Sequence, residues 1–364
     1  MTTETEPKLS ETLFEGFQRG DLHRTIRRDF RELKQFMLTE ERQKRLESMG
    51  WFKRWLYFYW WLFKSLLLKL TPARRILLAV ALLFLLLQDN FNIGGGDVRI
   101  SFHFTPVSIF LLLFVLMLEL KDKLLAKEEL EAGRAVQNAL MPPRSPDVPG
   151  WRLWLFTRSA NEVGGDLVDF IKISDTRFGI SVGDVAGKGL RAALMAAKLQ
   201  ATLRALATDG SSLKSFFAKL NRIFCRDCLP NMFASLVYVE LQANSGTIRL
   251  VNAGHLPPII IRGTRAEEMK KGGTALGLLS TAAFTESTLS LRRNDILLVY
   301  SDGFIEARNE AGEFFGEQRL LDLLPRVAVS STDELGERIV AELDRFVGEA
   351  RAADDLSMVI MKKV

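Results

Sequence analysis

The chain changes character three times. Residues 1–50 are polar, with Phe14, Phe17, Leu22, Ile26, Phe30 and Leu33 recurring mostly at three- to five-residue steps. That spacing predicts one or two amphipathic helices, which could dock on a surface or pack on their neighbours. Residues 51–70 interleave Trp51, Trp55, Trp60 and Trp61 with Lys53, Arg54, Lys64 and Lys69, a mixture suited to the headgroup layer of a membrane. Residues 76–87 and 109–118 are unbroken apolar runs. Each falls short of the roughly 20 residues of a full span. With tolerable flanks they extend to about 73–91 and 102–120, separated by a polar loop with Gly94–Gly96. The expectation is a membrane region over 51–122: an interfacial helix at 51–70 and a hairpin of two spans. The competing reading is a buried helical hairpin in a soluble domain.

Residues 123–142 read as a charged linker helix that stops at Met141-Pro142-Pro143, because proline cannot continue a helix. Leu124, Ala135, Val136, Ala139 and Leu140 lie at steps that would form a seam with a second copy. Beyond residue 150, short apolar runs alternate with helical patterns. Strands are expected at 151–157, 169–173, 178–183, 233–241, 247–252, 258–261, 286–291, 295–300 and 356–361. Helices are expected at 190–208, 213–225, 318–324 and 332–348. Asn244-Ser245-Gly246 marks a hairpin. Hairpins mixed with helix pairs predict an α+β domain of stacked layers over 150–364, not a doubly wound parallel sheet.

Composition narrows the function. With 48% hydrophobic and 26% charged residues, most of the chain can fold around a core. The net charge is +5, but from Lys123 onward 31 basic residues face 30 acidic ones. The remaining excess flanks the apolar runs. A nucleic-acid binder would carry a basic face on its folded domain, so no nucleic-acid partner is expected. The positive-inside rule places both flanks of a two-span hairpin on the cytoplasmic side. The expected location is therefore the inner membrane, multi-pass, with the C-terminal domain in the cytoplasm. The first 50 residues contain no apolar h-region of a signal peptide. Two cysteines, Cys225 and Cys228, cannot build a disulfide framework, and with only three histidines a zinc site is disfavoured.

The candidate chemistry is carboxylate-based. Asp166 follows Gly164-Gly165, Asp184 and Asp302 stand at strand ends, and Asp354-Asp355 open the last strand. Carboxylates that converge repel one another unless cations neutralise them, and oxygen-only ligation suits Mg²⁺ or Mn²⁺. Any one of these residues taken alone reads as a turn cap. Arg158 is a candidate for substrate phosphate or a plain surface strand arginine. His255, in Gly-His-Leu-Pro-Pro, is a candidate acid or a hydrogen-bonded turn histidine.

Read whole, the strings Glu162-Val163-Gly164-Gly165-Asp166-Leu167-Val168-Asp169-Phe170, Val182-Gly183-Asp184-Val185-Ala186-Gly187-Lys188-Gly189, Asn252-Ala253-Gly254-His255, Tyr300-Ser301-Asp302-Gly303 and Ala353-Asp354-Asp355-Leu356-Ser357 resemble the PPM-type (type 2C) serine/threonine phosphatases of the SpoIIE/RsbU-like branch. The order and spacing match from Gly150 to Val364, and Ala135-Val136-Gln137-Asn138-Ala139-Leu140-Met141-Pro142 is similar to that family's linker. The resemblance implies an α-β-β-α layered sandwich with two Mn²⁺ or Mg²⁺ ions in a cleft. Asp184 would bridge the ions, the backbone carbonyl of Val185 would bind one, and Asp302 and Asp354 would be ligands. Asp166 would be a ligand or an anchor, and Asp355 would assist Asp354. It also implies hydrolysis of phosphoserine or phosphothreonine by a metal-bound hydroxide. The substrate would be a phosphoprotein such as an anti-sigma-factor antagonist in a partner-switching pathway, and control would run through a homodimer formed by the linker helix. Ala186 and Ile305 depart from the commoner Ser and Thr. The alternative is a membrane signalling scaffold whose phosphatase fold binds a partner without turnover.

Overall fold

The computed structural model describes residues 40–87, 91–93, 100–102, 104–209, 212–327, 331–350 and 352–364. Most of the amphipathic pattern expected over residues 1–50, and Gly94–Gly96, lie outside them. The chain divides into two compact units, one ending at Leu124 and one spanning Leu125–Val364.

In the first unit, helix α1 (Glu40–Glu47) packs Leu46 against Phe58, Trp61 and Leu62 of α2 (Trp51–Lys69). Helix α3 (Pro72–Leu86) runs antiparallel to the start of α4 (Thr105–Leu140), with short paired strands β1 (Phe91–Ile93) and β2 (Ile100–Phe102) between them. Arg74, at the start of α3, bonds Glu119 and Asp122 of α4, both at 2.6 Å. Nearer the hairpin tip, the buried Ser108 hydroxyl donates to the Ala81 carbonyl at 2.7 Å, and Phe84 stacks on Phe104. The apolar runs thus do form a helical hairpin. Among the described residues, however, no helix is long and apolar enough to cross a membrane. The 15 residues of α3 rise about 22 Å, against a hydrocarbon layer of about 30 Å. The apolar face of α4 ends at Glu119, Lys121 and Asp122. The linker expected at 123–142 has no separate start, because α4 is one helix of 36 residues.

The second unit is the layered sandwich. Ten strands form two five-stranded antiparallel sheets. The first contains β4 (Asp166–Lys172), β5 (Arg177–Val185), β6 (Ala234–Gln242), β7 (Thr247–Ala253) and β10 (Glu286–Ser290), in the order β10-β7-β6-β5-β4. The second contains β3 (Trp151–Arg158), β8 (Ile259–Arg262), β9 (Arg265–Glu268), β11 (Ile296–Tyr300) and β12 (Leu356–Lys363), in the order β3-β12-β11-β8-β9. Helices α5 (Leu190–Leu206) and α6 (Leu213–Asp227) cover the first sheet. Helices α8 (Glu317–Val327) and α9 (Thr332–Val347) cover the second, and a four-residue helix α7 (Asp302–Ile305) follows β11.

The side-chain period explains the layering. In β6, Val237, Val239 and Leu241 point between the sheets, while Leu236 and Tyr238 point to α5 and α6. In β12, Val359 and Met361 point inward, and Met358 and Ile360 meet α9. Both faces are covered, so the middles of these strands, 236–239 and 358–361, read as apolar runs without alternation. Gly336 of α9 lies against the Trp154 ring, where any Cβ would collide, which lets helix and sheet approach closely. The expected strands and helices are all present with ends shifted by a few residues, and β9 and α7 are additional.

Candidate active site

The acidic residues gather at one end of the sandwich. Asp184 lies inside β5 and is the register partner of Asp166 on β4 and of Ser235 on β6. Asp302 opens α7 just after β11. Asp354 and Asp355 precede β12, which pairs with β11 from Tyr300↔Met358 onward. The two sheets therefore each contribute carboxylates to one cleft of about 500 Å³, lined by Asp184, Asp302, Phe233, Ser235, His255 and Lys271 among others.

Close backbone approach builds the cleft wall. Asp355 accepts from the Ala160 amide at 2.8 Å through one oxygen. Through the other it accepts from the Gly165 amide at 2.8 Å and more weakly from the Asp166 amide at 3.5 Å. A Cβ on Gly164 would run into the Asp355 carboxylate. One on Gly165 would stand 2.9 Å from the Val185 carbonyl and 3.2 Å from an Asp184 oxygen. Only glycine lets this turn pass between the carboxylates. Gly303 likewise packs on the Asp355 carbonyl. Ser301 and Ser357 tie the strand ends together: the Ser301 hydroxyl donates to the Asp355 carbonyl and accepts from the Ser357 amide, and Ser357 Oγ donates to Thr157.

Electrostatics mark this cluster as short of positive charge. Burial, then the charges of Asp302, Asp354 and Asp355, pushes Asp184 up to about 7, with Lys188 offsetting a little. Burial raises Asp302 as well, reinforced by Asp354 and Glu306. Asp166 is pushed well up, first by burial and then by Asp184 and Asp355, although the Ser357 hydroxyl offsets part of this. Its Oδ2 is buried without a hydrogen-bond partner. Lys188 is a nearby cation, donating to the Ala353 carbonyl at 3.1 Å and lying 3.8 Å from Asp354.

This donor set fits a divalent cation. It is all oxygen, its charges repel, and one buried carboxylate oxygen lacks a partner. Among the described residues, though, no three acidic or histidine side chains stand tightly enough to hold an ion as placed. Main-chain amides engage both oxygens of Asp355. Asp355 anchors the Gly164–Asp166 turn and also donates its own amide to Asp354 Oδ1 at 3.0 Å.

Other candidates resolve into structural roles. Arg158 forms a surface pair with Asp344, with contacts at 2.6 and 3.1 Å, and does not enter the cleft. Cys225 and Cys228 are both free and partly buried at the end of α6, with Cys225 near Asn221. Asp169 of the Gly-Gly-Asp-Leu-Val-Asp string is fully buried and paired with Arg204 at 2.6 and 2.9 Å. His255 borders the cleft with Nδ1 2.7 Å from Ser235 Oγ, and burial lowers it to about 4, so it is neutral at physiological pH. Sequence reasoning did not anticipate Ser235 or Lys271, since neither stands in a recognisable motif.

A two-sheet, α-β-β-α domain with an acidic cleft between the sheet ends defines the type 2C phosphatase class. The chain matches the SpoIIE family (Stage II sporulation protein E) over residues 174–364, just over half its length, and belongs to that family. It is 28% identical to protein IcfG of Synechocystis over 259 residues, covering 64% of this chain and 41% of IcfG. To the phosphoserine phosphatase RsbU of Bacillus subtilis it is 23% identical over 239 residues, 65% of this chain and 70% of RsbU. Among solved structures, the RsbU and RsbW domains of Rv1364c from Mycobacterium tuberculosis align with a TM-score of 0.53 at 27% identity, covering 60% of this chain and 62% of that one. The SiaA-PP2C domain of Pseudomonas aeruginosa shares the fold with a TM-score of 0.58 at 20% identity, covering 67% and 99%.

Proposed function

We propose that this chain is a protein phosphatase that hydrolyses phosphoserine or phosphothreonine with Mn²⁺ or Mg²⁺ in the acidic cleft. The observation that carries the reading is the facing of Asp184 and Asp302 across one cleft, each carboxyl raised by burial and by acidic neighbours. Asp184, Asp302 and Asp354, with the Val185 carbonyl, would hold the cations, and Asp166 would complete the acidic wall. When bound, such ions lower the pKa of water and neutralise charge on a phosphoryl group. The protein's own residues shape the site: Asp355 anchors the Gly164–Asp166 turn, Ser301 and Ser357 hold the strand ends, and Lys271 offers a cation at the cleft wall. His255 is neutral and bonded to Ser235, so it adds no positive charge. Release of phosphate from a phosphoserine peptide by the purified chain in Mn²⁺, and its loss in chelator, tests this reading.

The kinship with RsbU supports a partner-switching role, with a small phosphoprotein such as an anti-sigma-factor antagonist as substrate. Attachment to the inner membrane, with the phosphatase domain in the cytoplasm, is proposed for the first unit. It leaves an unusual amount of apolar surface uncovered: Trp51 is 77% exposed, Phe110 66% and Leu116 62%. A soluble surface rarely carries such contiguous apolar area without a partner. Interfacial burial of α2 and partial insertion of the α3–α4 hairpin would cover it. Pairing of two chains through α4 is proposed on the exposure of Ala135, Val136 and Ala139, although Leu140 is half-buried.

A further inference from the structure

Strands β9 and β10 are the last in their respective sheets, and residues 269–273 cross from one sheet to the other beside them. At one end the Met269 amide donates to the Pro258 carbonyl at 2.8 Å, just before β8 of the second sheet. At the other, the Gly273 amide donates to the Asn252 carbonyl at 3.0 Å, in β7 of the first. Gly272 lies so close on Asn252 that any Cβ would collide with its side chain and its carbonyl. Asn252 is itself fixed, since its side chain accepts from the His255 amide at 2.8 Å and donates to the His255 carbonyl at 3.1 Å. The strip is therefore a firm partition. The acidic cleft lies on one side of it. On the other is a second groove of about 740 Å³, against about 500 Å³ for the cleft, and Lys271, Gly272 and Gly273 line both.

The groove has an apolar floor and a strand edge at its rim. Leu250 of β7, Ile260 of β8, Leu289 of β10 and Met269 supply the floor. Leu250 and Ile260 belong to the buried layer between the sheets, and Leu289 and Met269 pack on it half-buried. Ser287 is the register partner of Leu250 and lines the same groove. Strand β10 pairs with β7 on one side only, so its outer edge offers main-chain N–H and C=O groups to an added strand. Lys270 and Lys271 stand exposed at the rim. Glu268 also lines the groove, hydrogen-bonded to Glu317 of α8.

We propose that this groove binds the stretch of the phosphoprotein substrate that flanks its phosphorylated residue: an extended, apolar segment laid along β10, with side chains on the floor and the phosphorylated residue carried over Gly272 and Gly273 into the cleft. The inference rests on the phosphatase reading above and names what that site selects. The partition is one chain thick, about 5 Å, and an extended chain advances about 3.3 Å per residue. The groove therefore reads positions about two to four residues from the phosphorylated one. It reads them on a single side, because it lies to one side of the cleft. The occupant is the substrate itself and not a separate partner: the two cavities share a wall, and an anionic segment leaving the cleft meets Lys271 and Lys270 at once.

The test compares three phosphoserine peptides and p-nitrophenyl phosphate as substrates of the full chain at saturating Mn²⁺. One peptide is alanine-based. The other two carry Val-Ile-Val beginning two residues before, or two residues after, the phosphoserine. One of these should exceed the alanine peptide in kcat/KM by about 10-fold or more, mostly through KM, because contacts of the flank form before the chemical step and persist through it. Met269→Glu places a charge on the floor, and Ser287→Tyr fills the groove. Each should remove most of that preference, while hydrolysis of p-nitrophenyl phosphate, which reaches only the cleft, stays within about twofold of the wild type. Either variant serves if the other does not fold. Equal kcat/KM for all three peptides in the wild type, equal gain from both flanks, or a folded variant that keeps the preference overturns the proposal. A wild-type chain that does not hydrolyse p-nitrophenyl phosphate sinks the phosphatase reading itself, and this inference with it.

Discussion

Asp166 and Asp184 are register partners on adjacent antiparallel strands, and Gly165, which precedes the first, passes against the carbonyl of Val185, which follows the second. Two carboxylates held opposite each other in a largely buried ladder, with Asp302 brought to Asp184 by the other sheet, make an arrangement that costs stability in the absence of a cation. The following expectations come from that arrangement and from the surfaces around it.

Asp184→Asn and Asp302→Asn should each lower Mn²⁺-dependent phosphoester hydrolysis by at least about 100-fold, because each removes ligand charge without removing core packing. Steady-state rates with p-nitrophenyl phosphate across a Mn²⁺ series measure this. Wild-type rates in both variants would rule out the carboxylate cleft as the active site.

The pH dependence of stability follows from the raised carboxyls. Asp184 titrates near 7 in the fold and near 4 when unfolded. Its favourable contribution is therefore complete below about pH 4 and is lost as pH rises through 7. In metal-free protein, Asp184→Asn should be more stable than wild type, with a gap that widens by on the order of 2 kcal/mol between pH 5 and pH 8. Added Mn²⁺ should close or reverse that gap by stabilising the wild type. Chemical denaturation at the two pH values, with and without metal, reads it out, and a gap independent of pH would contradict the assigned cause.

Gly303→Ala should destabilise the second unit by about 2 kcal/mol or more, since its Cβ meets the Asp355 carbonyl and backbone cannot swing aside as a side chain can. Because Asp302 is the preceding residue, Mn²⁺ affinity should fall as well. Thermal melting paired with metal titration distinguishes this from a local effect: an unchanged melting temperature would show that the loop relaxes freely.

The exposed aromatic and aliphatic side chains of α2, α3 and the start of α4 predict that the full chain sediments with vesicles and resists extraction by 1 M salt, which screens charge to within about 3 Å. Detergent should release it. Recovery of the full chain in the supernatant without detergent would count against membrane attachment of any depth.

Much of the second unit was legible in the residue pattern. Runs such as 236–239 and 358–361 are apolar at every position because both faces of their sheets are covered, and the helices over 190–206 and 332–347 show their buried stripes in sequence. The acidic positions next to glycine were equally visible, since close backbone approach needs glycine in any fold. A local pattern sets the period of a strand but not its neighbour. Only the tertiary structure decided that Asp355 spends both oxygens on amides of residues 160, 165 and 166, nearly 200 positions earlier in the chain. Arg158, Asp169 and His255 owe their roles to partners at Asp344, Arg204 and Ser235, which no spacing rule connects. Gln137 is a further case: in sequence it stands in a linker-like string with no partner named, and only folding places the two main-chain groups of Gly164 within reach of its amide. Hydrogen bonds act over about 3 Å in space, so chain topology alone determines which distant groups they join.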